Sequence, residues 1–413
     1  MKKASIISIG NELLNGQTVD TNTTWLCAKL ISVGIPTVSS YTIVDDIEEI
    51  AGCIGKASAQ ADIILITGGL GPTDDDVTRQ AVAKFLNTKL VLDGDVLEKI
   101  QNFFKTRRYN MPEKNKIQAY IPEKTSPIQN DLGTAAGILY KEEKKLIAAM
   151  PGVPAEMKKM MLNTVLPEIE KNSSGQCVVI KKLKCFGAGE SKIAEMLGDL
   201  MDRNRNPIIN CTVDYGIITL HVVATGSSRA EAERMAVNDI DKLKNMLGDL
   251  VFGQDNQGLP EVVAEMLTRK GLTLALAESC TGGMIAEWLT DIPGASKYFG
   301  YGWVTYSNQA KQSQLGVKEE IIEKYGAVSA ETAFEMAKNA RKIANSDLGV
   351  AVTGIAGPAG GSEQKPVGLV YIAIASKNGT ETKKFIFARN DRHFIRTRTA
   401  QTALNLLRLN LGV

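Results

Sequence analysis

Strand and helix patterns alternate from the N-terminus to about residue 170, and this alternation constrains the fold more than any other feature of the chain. Apolar runs occupy residues 4–10, 35–44 and 61–69, and segments with helical spacing of apolar residues, 21–34 and 47–60, lie between them. Parallel strands joined by crossover helices satisfy such a pattern. We therefore predict a mostly parallel sheet covered by helices on both faces, with ligands bound beyond the carboxyl ends of its strands.

Two further regions follow a polar stretch, VLPEIEKNSSGQ at residues 165–176, which indicates a linker. A strand, a helix, a hairpin around Asp214-Tyr215-Gly216 and another helix then predict a small α+β module. From about Gly253 the alternation returns and predicts a second α/β domain. The predicted domains are residues 1–170, 171–252 and 253–413, and the predicted fold class is α/β, with two α/β/α sandwich domains and the small α+β module between them.

Composition excludes several classes of function. The formal net charge of +2 argues against a large basic surface for nucleic acid, and no apolar stretch reaches the length of about 18 residues that a membrane span needs. The six cysteines form no C-x-x-C pair, which fits neither a zinc site nor a disulfide framework. We expect a soluble cytoplasmic protein with reduced thiols. Only His221 and His393 are available to mechanisms that need a histidine base.

A glycine-rich turn, ITGGLGPTDDD at residues 66–76, ends the third strand pattern and opens a helix. Backbone amides approach a phosphate closely at glycines, and carboxylates beside a phosphate normally share a divalent cation with it. The simpler alternative is that Thr73 or Asp74 caps the helix while the other aspartates face its positive end. The candidate metal ligands are Asp74, Asp75, Asp76, Glu12 and Asp20, with Asp75 and Asp76 also as catalytic groups, and the candidate substrate-binding residues are Gly68, Gly69, Gly71, Pro72, Thr73, Asn22 and Asp45.

A second strand–turn–helix pattern, LALAESCTGGMIAEWL at residues 274–289, contains the nucleophile candidates Ser279, Cys280 and Thr281. The thiol is intrinsically the strongest, but nothing near it in sequence would deprotonate it. His393 begins an arginine-rich segment that suits anion binding better than a serine–histidine triad. A serine can also be activated by a lysine of lowered pKa, and YGWVTYSNQAK offers Tyr306 at a strand end and Lys311 about one helical turn later. An ordinary surface lysine is the alternative for Lys311, and spacing alone does not decide.

Two segments are candidates for binding the rest of a substrate. The turn TGIAGPAGG at residues 353–361 follows a strand pattern and forms a flexible polar loop that can wrap a ribose or phosphate. Arg392 and Arg396 lie four residues apart on a predicted helix and can hold a phosphate together, although a solvated helix face explains the pair equally well. The candidate residues of the glycine turns are Thr281, Gly282, Thr353, Gly354, Gly357 and Gly361.

The segments GNELLNGQTVDTN, TGGLGPTDDD and MPGVPAEM resemble the N-terminal domain of the CinA family, which is similar in fold to molybdopterin-binding proteins. The resemblance implies an ADP-ribose pyrophosphatase that forms AMP and ribose 5-phosphate with a divalent metal (Mg, Co or Mn), with K as an additional ion. It places the active site at Gly68 to Asp76. A domain that only binds a pterin or a nucleotide is the alternative.

The segments AESCTGG, VTYSNQAK, GAVS, TGIAGPAGGSEQKPVGLV and DRHFIR resemble, in order, the C-terminal domain of the same family, the PncC-type nicotinamide mononucleotide amidohydrolases. The resemblance implies hydrolysis of nicotinamide mononucleotide to nicotinic acid mononucleotide and ammonia, with no metal. It implies that Ser279 is the nucleophile, Lys311 the general base and Tyr306 a partner of the serine. Backbone amides of the glycine turn would then bind the oxyanion.

The middle module resembles a KH-type module in outline, as the same segment does in CinA proteins. Its turn at residues 187–190 ends in Glu190, where a nucleic-acid clamp favours neutral or basic residues, so we expect a spacer or dimerisation unit ahead of RNA binding. The resemblance implies a homodimeric, bifunctional hydrolase of pyridine-nucleotide salvage with no membrane partner. A non-catalytic nucleotide- or pterin-binding interaction protein is the alternative.

Overall fold

The structure is a computed structural model and describes residues 2–142, 144–171, 177–388 and 391–412. The chain divides into two compact units, Met1–Val179 with Ala224–Arg234, and Ile180–Val223 with Met235–Val413. The predicted domain boundaries stay predictions. No helix formed by the described residues is both long enough and apolar enough to cross a membrane.

The first unit opens with the predicted alternation of strands and helices. Its elements are β1 (Ala4–Ile9), α1 (Asn11–Leu14), α2 (Thr21–Ser32), β2 (Thr37–Ile43), α3 (Ile47–Gln60), β3 (Ile63–Thr67), α4 (Thr78–Phe85), β4 (Leu90–Leu92), α5 (Gly94–Thr106), β5 (Tyr120–Pro122), β6 (Ser126–Ile128), β7 (Gly137–Glu142), β8 (Lys145–Met150), α6 (Pro154–Met160) and α7 (Leu166–Lys171).

The predicted linker is partly helical. A π-helical turn at Met161–Val165 joins α6 to α7, and Val165 and Ile169, four residues apart, are both buried in the core. The prediction of a linker is therefore wrong for residues 165–171, because this apolar pair anchors a helix. Residues 172–176 of the predicted linker lie outside the described residues.

The large sheet of the first unit has the strand order β2-β1-β3-β8-β7-β6. The strands β2, β1, β3 and β8 pair in parallel, whereas β7 pairs antiparallel with β8, and β6 antiparallel with β7. The prediction of a mostly parallel sheet is thus confirmed. Because β2 and β3 flank β1 on opposite sides, the winding of the chain reverses at β1, and the carboxyl ends of β1 and β3 border a crevice of the kind that binds ligands.

Alternate residues of the central strands enter two separate cores. Ile6 of β1 lies in one core with Leu26 of α2 and residues of α6, while Ile7 lies in the other with Ile50 of α3 and residues of α4. Side chains of a strand point alternately to its two faces, so both faces need a helical layer. The result is an α/β/α sandwich.

The middle of the chain forms the predicted small α+β module. Its elements are β9 (Cys177–Phe186), α8 (Glu190–Leu197), β10 (Ile208–Asp214), β11 (Ile217–Gly226), α9 (Arg229–Leu247) and β12 (Val251–Gln254), with strand order β10-β11-β9-β12. The strands β10 and β11 form the predicted hairpin. Both turn residues, Tyr215 and Gly216, have positive φ, at 42° and 77°, as a two-residue turn of type I′ requires.

The C-terminal region is a second sandwich. Its elements are α10 (Leu259–Lys270), β13 (Leu274–Glu278), α11 (Met284–Thr290), β14 (Phe299–Val304), α12 (Asn308–Leu315), α13 (Glu319–Tyr325), α14 (Ala330–Ala344), β15 (Leu348–Gly354), β16 (Leu369–Ser376), β17 (Gly379–Ile386) and α15 (Arg392–Gly412). The strand order is β14-β13-β15-β16-β17, with β14, β13 and β15 parallel. The strands β14 and β15 flank β13 on opposite sides, so the crevice of this sheet lies at the carboxyl ends of β13 and β15.

Candidate active sites

Ser279 stands directly after β13, at the crevice of the C-terminal sheet. Its amide donates to Val352 O at 3.1 Å, and its carbonyl accepts a hydrogen bond from Gly282 N at 3.1 Å. Gly282 and Gly283 complete the turn with φ of 63° and 96°. The Ser279 side chain is only 7% exposed, so its hydroxyl is fixed in a sheltered position.

Lys311 of α12 lies beside Ser279, although 32 residues separate the two in sequence. Its Nζ donates to Ser279 Oγ at 3.0 Å and to Thr305 O at 2.8 Å. The residue is 1% exposed, and burial lowers the pKa of its ammonium to about 8. Packing therefore decides what spacing left open: Lys311 is not a surface lysine.

The environments of Cys280, His221 and His393 differ from that of the Ser279–Lys311 pair. Cys280 lies in the apolar core, and burial raises its pKa to about 12, so it is a neutral thiol at physiological pH. His221 shares a hydrogen bond of 2.9 Å with Thr212 Oγ1, and the ring of His393 meets that of Tyr215 edge to face. Among the described residues, neither histidine contacts Ser279. Within the described residues, the ionisable side chain that forms a hydrogen bond with Ser279 Oγ is Lys311.

Tyr306 is 59% exposed, and its hydroxyl accepts a hydrogen bond from Arg392 Nη2 at 2.7 Å. No hydrogen bond joins Tyr306 to Ser279 or Lys311 in the part of the chain that the structure describes. The structure thus places Tyr306 at the mouth of the crevice with Arg392. Its role as partner of the serine stays a prediction.

Arg392 and Arg396 connect the last helix to both glycine turns. Arg392 Nη1 donates to Gly357 O at 2.8 Å, and Arg396 Nη2 donates to Thr281 O at 2.6 Å. A pair that only solvated a helix face would not make these contacts. The geometry favours the reading in which both arginines belong to the candidate site.

The turn at residues 353–361 is predicted to be flexible, but hydrogen bonds and close packing hold it in place. Buried Thr353 donates through Oγ1 to Ala327 O at 2.8 Å. Lys365, just beyond the turn, donates through Nζ to Tyr325 O at 2.7 Å and to Val328 O at 2.8 Å. Gly354 and Gly361 are packed so closely that a Cβ on either would lie within 3 Å of a valine side chain, Val370 Cγ2 at 2.7 Å and Val367 Cγ2 at 2.9 Å respectively. Glycine is required there by packing.

Two hydroxyls beside the serine–lysine pair lack partners. Thr281 Oγ1 and Thr305 Oγ1 are buried and make no hydrogen bond within the described structure. A buried polar atom without a partner costs free energy, and such atoms in native proteins often serve a ligand. Thr281 is therefore suited to the predicted role in substrate binding.

Sequence reasoning missed Glu278, a buried carboxylate at the end of β13. It accepts hydrogen bonds from Gly283 N at 3.0 Å, Ile285 N at 3.2 Å and Ala286 N at 2.8 Å. These amides belong to the start of α11, where a negative charge is stabilised. The available signal was an acidic residue closing an apolar strand just before a helix start.

The glycine turn after β3 is held in place by residues of α4. Gly69 has φ of 64°, and a Cβ on it would lie 2.3 Å from Thr78 Oγ1. Buried Arg79 donates to Leu70 O at 2.7 Å and to Gly71 O. Burial lowers the pKa of this guanidinium to about 10, so it still carries its charge at neutral pH. Sequence reasoning also missed Arg79, because a charged residue in a helix is ordinarily exposed.

Asn22 links α2 to the same turn. Its Nδ2 donates to Thr67 Oγ1 at 3.0 Å and to Gly152 O at 2.8 Å, while Gly152 lies against Gly68. The Oδ1 atom of Asn22 is buried and has no partner among the described residues. Asn22 therefore lies at the glycine turn with an acceptor available, and its role in substrate binding stays a prediction.

Two of the predicted metal ligands have local structural partners. Asp76 accepts hydrogen bonds from Gly71 N at 2.7 Å, from Thr73 N at 2.8 Å and from the Thr73 hydroxyl. Asp20 caps α2 by accepting from Thr23 N at 2.9 Å and from its hydroxyl at 2.7 Å. The alternative that Thr73 or Asp74 caps the helix is wrong, because α4 begins at Thr78 with Val77 at its N-cap and no side-chain cap hydrogen bond. Asp20 and Asp76 therefore use their oxygens mainly to accept local hydrogen bonds that hold the backbone of the site, which leaves less of their capacity for a metal ion.

Among the other carboxylates at this sheet edge, Asp45 lies within electrostatic range of Glu12 and of Asp75 and Asp76 of the turn. Asp74 and Asp75 are exposed, and Asp45 accepts a hydrogen bond from Asn11 N at 2.9 Å. Burial raises the pKa of Asp45, and repulsion from Glu12 and two aspartates of the turn raises it further. Within the described residues, no three side chains of the metal-binding types converge on one point. The ligand set therefore stays a prediction.

Three family profiles match consecutive parts of the chain: "Probable molybdopterin binding domain" over residues 5–171, "Damage-inducible protein CinA KH domain" over 180–253 and "CinA C-terminal domain" over 256–411. A competence-damage inducible protein of Caldicellulosiruptor saccharolyticus is 42% identical over 405 residues, with 98% of each chain covered. The chain belongs to the CinA family. The predicted resemblance is thereby confirmed, together with the α/β fold class and a KH-type module between the two α/β regions.

A second relative and a solved structure are also similar to this chain. One from Clostridium beijerinckii is 40% identical over 407 residues, which are 98% of each chain. The solved structure of a competence/damage inducible protein from Agrobacterium tumefaciens is 43% identical and covers 38% of this chain and 98% of its own, with a TM-score of 0.36. The CinA C-terminal match, residues 256–411, contains Ser279, Lys311 and both arginines.

Proposed function

We propose that the C-terminal domain is a nicotinamide mononucleotide amidohydrolase in which Ser279 is the nucleophile and Lys311 the general base. The observation that carries this proposal is the 3.0 Å hydrogen bond between Lys311 Nζ and Ser279 Oγ, made by a lysine whose pKa burial lowers to about 8. Membership of the CinA family supports the choice of substrate, through the motif set that resembles these amidohydrolases.

In the first half of the reaction, neutral Lys311 accepts the hydroxyl proton of Ser279 as Oγ attacks the carbonyl carbon of the carboxamide. The Lys311 ammonium then gives its proton to the amide nitrogen, the carbon–nitrogen bond breaks and ammonia leaves. In the second half, water attacks the resulting ester while Lys311 takes its proton and returns it to Ser279 Oγ. One water is consumed for each ammonia released.

The amides of Cys280 and Thr281 are the proposed oxyanion donors. The amides of the two glycines were the expected donors, but Gly282 N donates to Ser279 O and Gly283 N donates to the Glu278 carboxylate. An amide already engaged inside the protein is a poor donor to a developing charge. The amide of the residue after a nucleophile, here Cys280, is a common oxyanion donor in strand–turn–helix sites.

Arg392 and Arg396 are proposed to bind the phosphate of the substrate. A guanidinium has five N–H donors, so each arginine keeps free donors while it holds a carbonyl of a glycine turn. The cation pair also lies at the mouth of the crevice, where Tyr306 is exposed. The phosphate would thus remain near solvent while the carboxamide reaches Ser279.

Ammonia release from nicotinamide mononucleotide tests this proposal. Ser279→Ala and Lys311→Met should each reduce kcat by about 1,000-fold or more, since each removes a partner of a coupled nucleophile–base unit. Calorimetric titration should show that both variants still bind the nucleotide. Cys280→Ala is the matched control from the same turn and should keep kcat within about threefold, because its thiol is neutral and packed in the core. Wild-type protein that binds the nucleotide without releasing ammonia would contradict the proposal.

We further propose that the N-terminal domain hydrolyses ADP-ribose to AMP and ribose 5-phosphate with a bound divalent cation. The specific observation in favour is the group of acidic side chains around Asp45, whose pKa is raised by burial and further by repulsion from Glu12, Asp75 and Asp76. Oxygen donors suit Mg²⁺, which proteins commonly hold with one or two carboxylates plus the phosphates of the substrate. Asp45 and Asp75 would hold the cation, which would stabilise charge on the phosphates. The amides of the glycine turn and Asn22 would orient the substrate.

Metal-dependent release of AMP from ADP-ribose tests this second activity. Asp45→Asn and Asp75→Asn should lower the rate and weaken Mn²⁺ binding as measured by calorimetry. Glu123→Gln removes a carboxylate that pairs only at the surface, with Lys89 at 3.8 Å, and should change neither quantity. AMP release that persists in both aspartate variants would argue against this ligand set. A pterin- or nucleotide-binding protein without turnover, the alternative function, would release neither AMP nor ammonia.

A further inference from the structure

The tip of the β10–β11 hairpin packs against the first turns of α15. The Tyr215 ring stacks on that of Phe394, with centroids 5.8 Å apart and an interplanar angle of 29°, and meets the His393 ring edge to face. Tyr215 O accepts a hydrogen bond from Arg398 Nη1 at 2.9 Å. The proposed catalytic mechanism uses none of these residues. We call Tyr215, Gly216 and Arg398 the hairpin contact.

Arg398 is enclosed by aromatic rings from both sides of this contact. Its guanidinium carbon lies 4.7 Å from the ring centroid of Phe186 in β9 and 5.6 Å from that of Phe387, which follows β17. A Cβ on Gly216 would lie 1.6 Å from Arg398 Nη1, and the φ of Gly216 is 77°. Only glycine fits at this position, so the approach of the hairpin to the helix is close and specific.

The hairpin contact and the candidate phosphate site occupy opposite faces of one helix. A residue in an α-helix is turned by about 100° from its neighbour, so Phe394 and Arg398 are turned by about 200° from Arg392 and Arg396. The first pair faces the hairpin, and the second pair holds Thr281 O and Gly357 O of the glycine turns. The start of α15 is therefore clamped between the KH-type module and the candidate amidohydrolase site.

The first turn of a helix is its least supported part, because its amides have no partners within the helix. Here Asp391 supplies partial support, accepting from Phe394 N at 3.1 Å through its carboxylate and from Ile395 N at 2.9 Å through its carbonyl. Buried Ile395 anchors the inner face of this turn in the core, and the hairpin contact adds support on its outer face. Loss of the hairpin contact would therefore leave the two arginines less firmly held over the glycine turns.

We propose that Tyr215, Gly216 and Arg398 are positioning residues of the amidohydrolase, holding Arg392 and Arg396 where they bind the phosphate of the substrate. The inference rests on the proposed function of the C-terminal domain. It gives the KH-type module a role in the amidohydrolase site in place of nucleic-acid binding. It also explains why a tyrosine with positive φ stands at the tip of the hairpin.

Kinetics of Tyr215→Ala and Arg398→Met with nicotinamide mononucleotide test the proposal. Both variants should raise KM roughly tenfold, since displacing a binding group by about an ångström has effects of this size or larger. The kcat at saturation should change by less than about twofold and the pH profile should keep its midpoint, because Ser279 and Lys311 are untouched. Tyr215→Phe keeps the stacked ring and the carbonyl, so its KM should equal that of the wild-type protein. Val213→Ala, at a half-exposed position in the same hairpin, is the matched control.

Hydrogen exchange measured on the same variants does not depend on turnover. The amides of Ile395 to Thr399 should exchange faster in Tyr215→Ala and Arg398→Met than in Val213→Ala, with the C-terminal half of α15 unchanged. Three results would each overturn the proposal. They are unchanged exchange at Ile395 to Thr399, an unchanged KM, and an equal loss of kcat in Tyr215→Ala and Arg398→Met. If wild-type protein releases no ammonia, the proposed function fails, while the exchange comparison still judges whether the hairpin contact holds the helix.

Discussion

At the scale of single residues, the decisive feature is a lysine buried against a serine. Transfer of an ammonium from water into a protein interior disfavours its charged form, which is why the pKa of Lys311 falls to about 8. The same burial leaves Cys280 protonated, because a thiolate is also charged and burial raises its pKa more than nearby Lys311 and Arg396 lower it. In the proposed mechanism, burial thus supplies the serine with a neutral lysine as its base, and it keeps the neighbouring thiol protonated.

The pKa of Lys311 predicts the pH dependence of ammonia release. Below a pH of about 8 the lysine is mostly protonated and is no base, so kcat should rise about tenfold per pH unit at low pH and level off above that value. Stopped-time assays between pH 6 and 10 would measure this profile. A rate that falls between pH 7 and 9 would contradict the assignment of a neutral lysine as base.

Replacing Lys311 by methionine should remove activity and raise stability. A pKa lowered from 10.5 to about 8 corresponds to about 3 kcal/mol against the charged folded form, partly offset in the variant by the unpaired Thr305 carbonyl. We expect Lys311→Met to gain about 1 to 2 kcal/mol in unfolding free energy at pH 7, measured by urea denaturation.

The sign of this stability difference depends on pH in a defined way. Because the folded pKa of Lys311 lies below the unfolded one, the unfolded state binds more protons between pH 8 and 10.5, and the wild-type protein gains stability as pH rises through that window. The advantage of Lys311→Met should therefore shrink from pH 8 upward. An advantage that grows with pH would contradict the buried, depressed lysine.

At the scale of elements, both candidate sites are turns between a parallel strand and a helix, and each is held by a buried charge. Arg79 holds the carbonyls of the turn after β3, whereas Glu278 holds the amides at the start of α11. The two buried charges have opposite signs because one turn presents carbonyl oxygens, which bind a cation, and the other presents N–H groups, which bind an anion. Each buried charge leaves the rest of its turn available for a ligand.

Replacing Glu278 by glutamine should destabilise the start of α11. The amide keeps one acceptor oxygen but loses the negative charge that three backbone N–H groups share, so we expect a loss of about 1 to 3 kcal/mol in unfolding free energy. Urea denaturation measures this loss. Glu287→Gln, an exposed acidic residue in the same first turn, should cost under about 0.5 kcal/mol. Equal losses in the two variants would show that Glu278 has no special structural role.

At the scale of the whole molecule, the two proposed activities draw on separate sets of residues and different chemistry. Ammonia release depends on a serine–lysine pair, whereas AMP release depends on carboxylates and a divalent cation. Neither set includes a residue of the other domain, so each activity should respond to its own substitutions and conditions.

Independence of the two activities can be measured on the intact chain. Ser279→Ala should abolish ammonia release and leave AMP release within about twofold of wild type, and Asp75→Asn should do the reverse. A metal chelator should stop AMP release alone. A chelator that also stops ammonia release from metal-free protein would show that the C-terminal reaction needs an ion or that the two domains are coupled.

Local pattern was sufficient for much of this protein. The alternation of strands and helices predicted the mostly parallel first sheet and a second α/β domain, and the turn after β13 offered Ser279 as one of three nucleophile candidates. Asp214-Tyr215-Gly216 predicted a hairpin, and its two turn residues have positive φ. These features depend on neighbours within a few residues, through side-chain period and backbone conformation. Pattern failed at residues 165–171, where a polar composition concealed two buried apolar side chains.

What the sequence alone determined is therefore the order of elements, the two glycine turns and a short set of candidate nucleophiles. Only the tertiary structure decided that Lys311 is buried on Ser279, that Glu278 and Arg79 are interior charges, and that Asp20 and Asp76 serve their own turns. The physical reason is that burial and charge pairing depend on residues distant in sequence. Ser279 and Lys311 are 32 positions apart in sequence, and they meet because the sheet pairs β13, which ends before Ser279, with β14, which leads into α12.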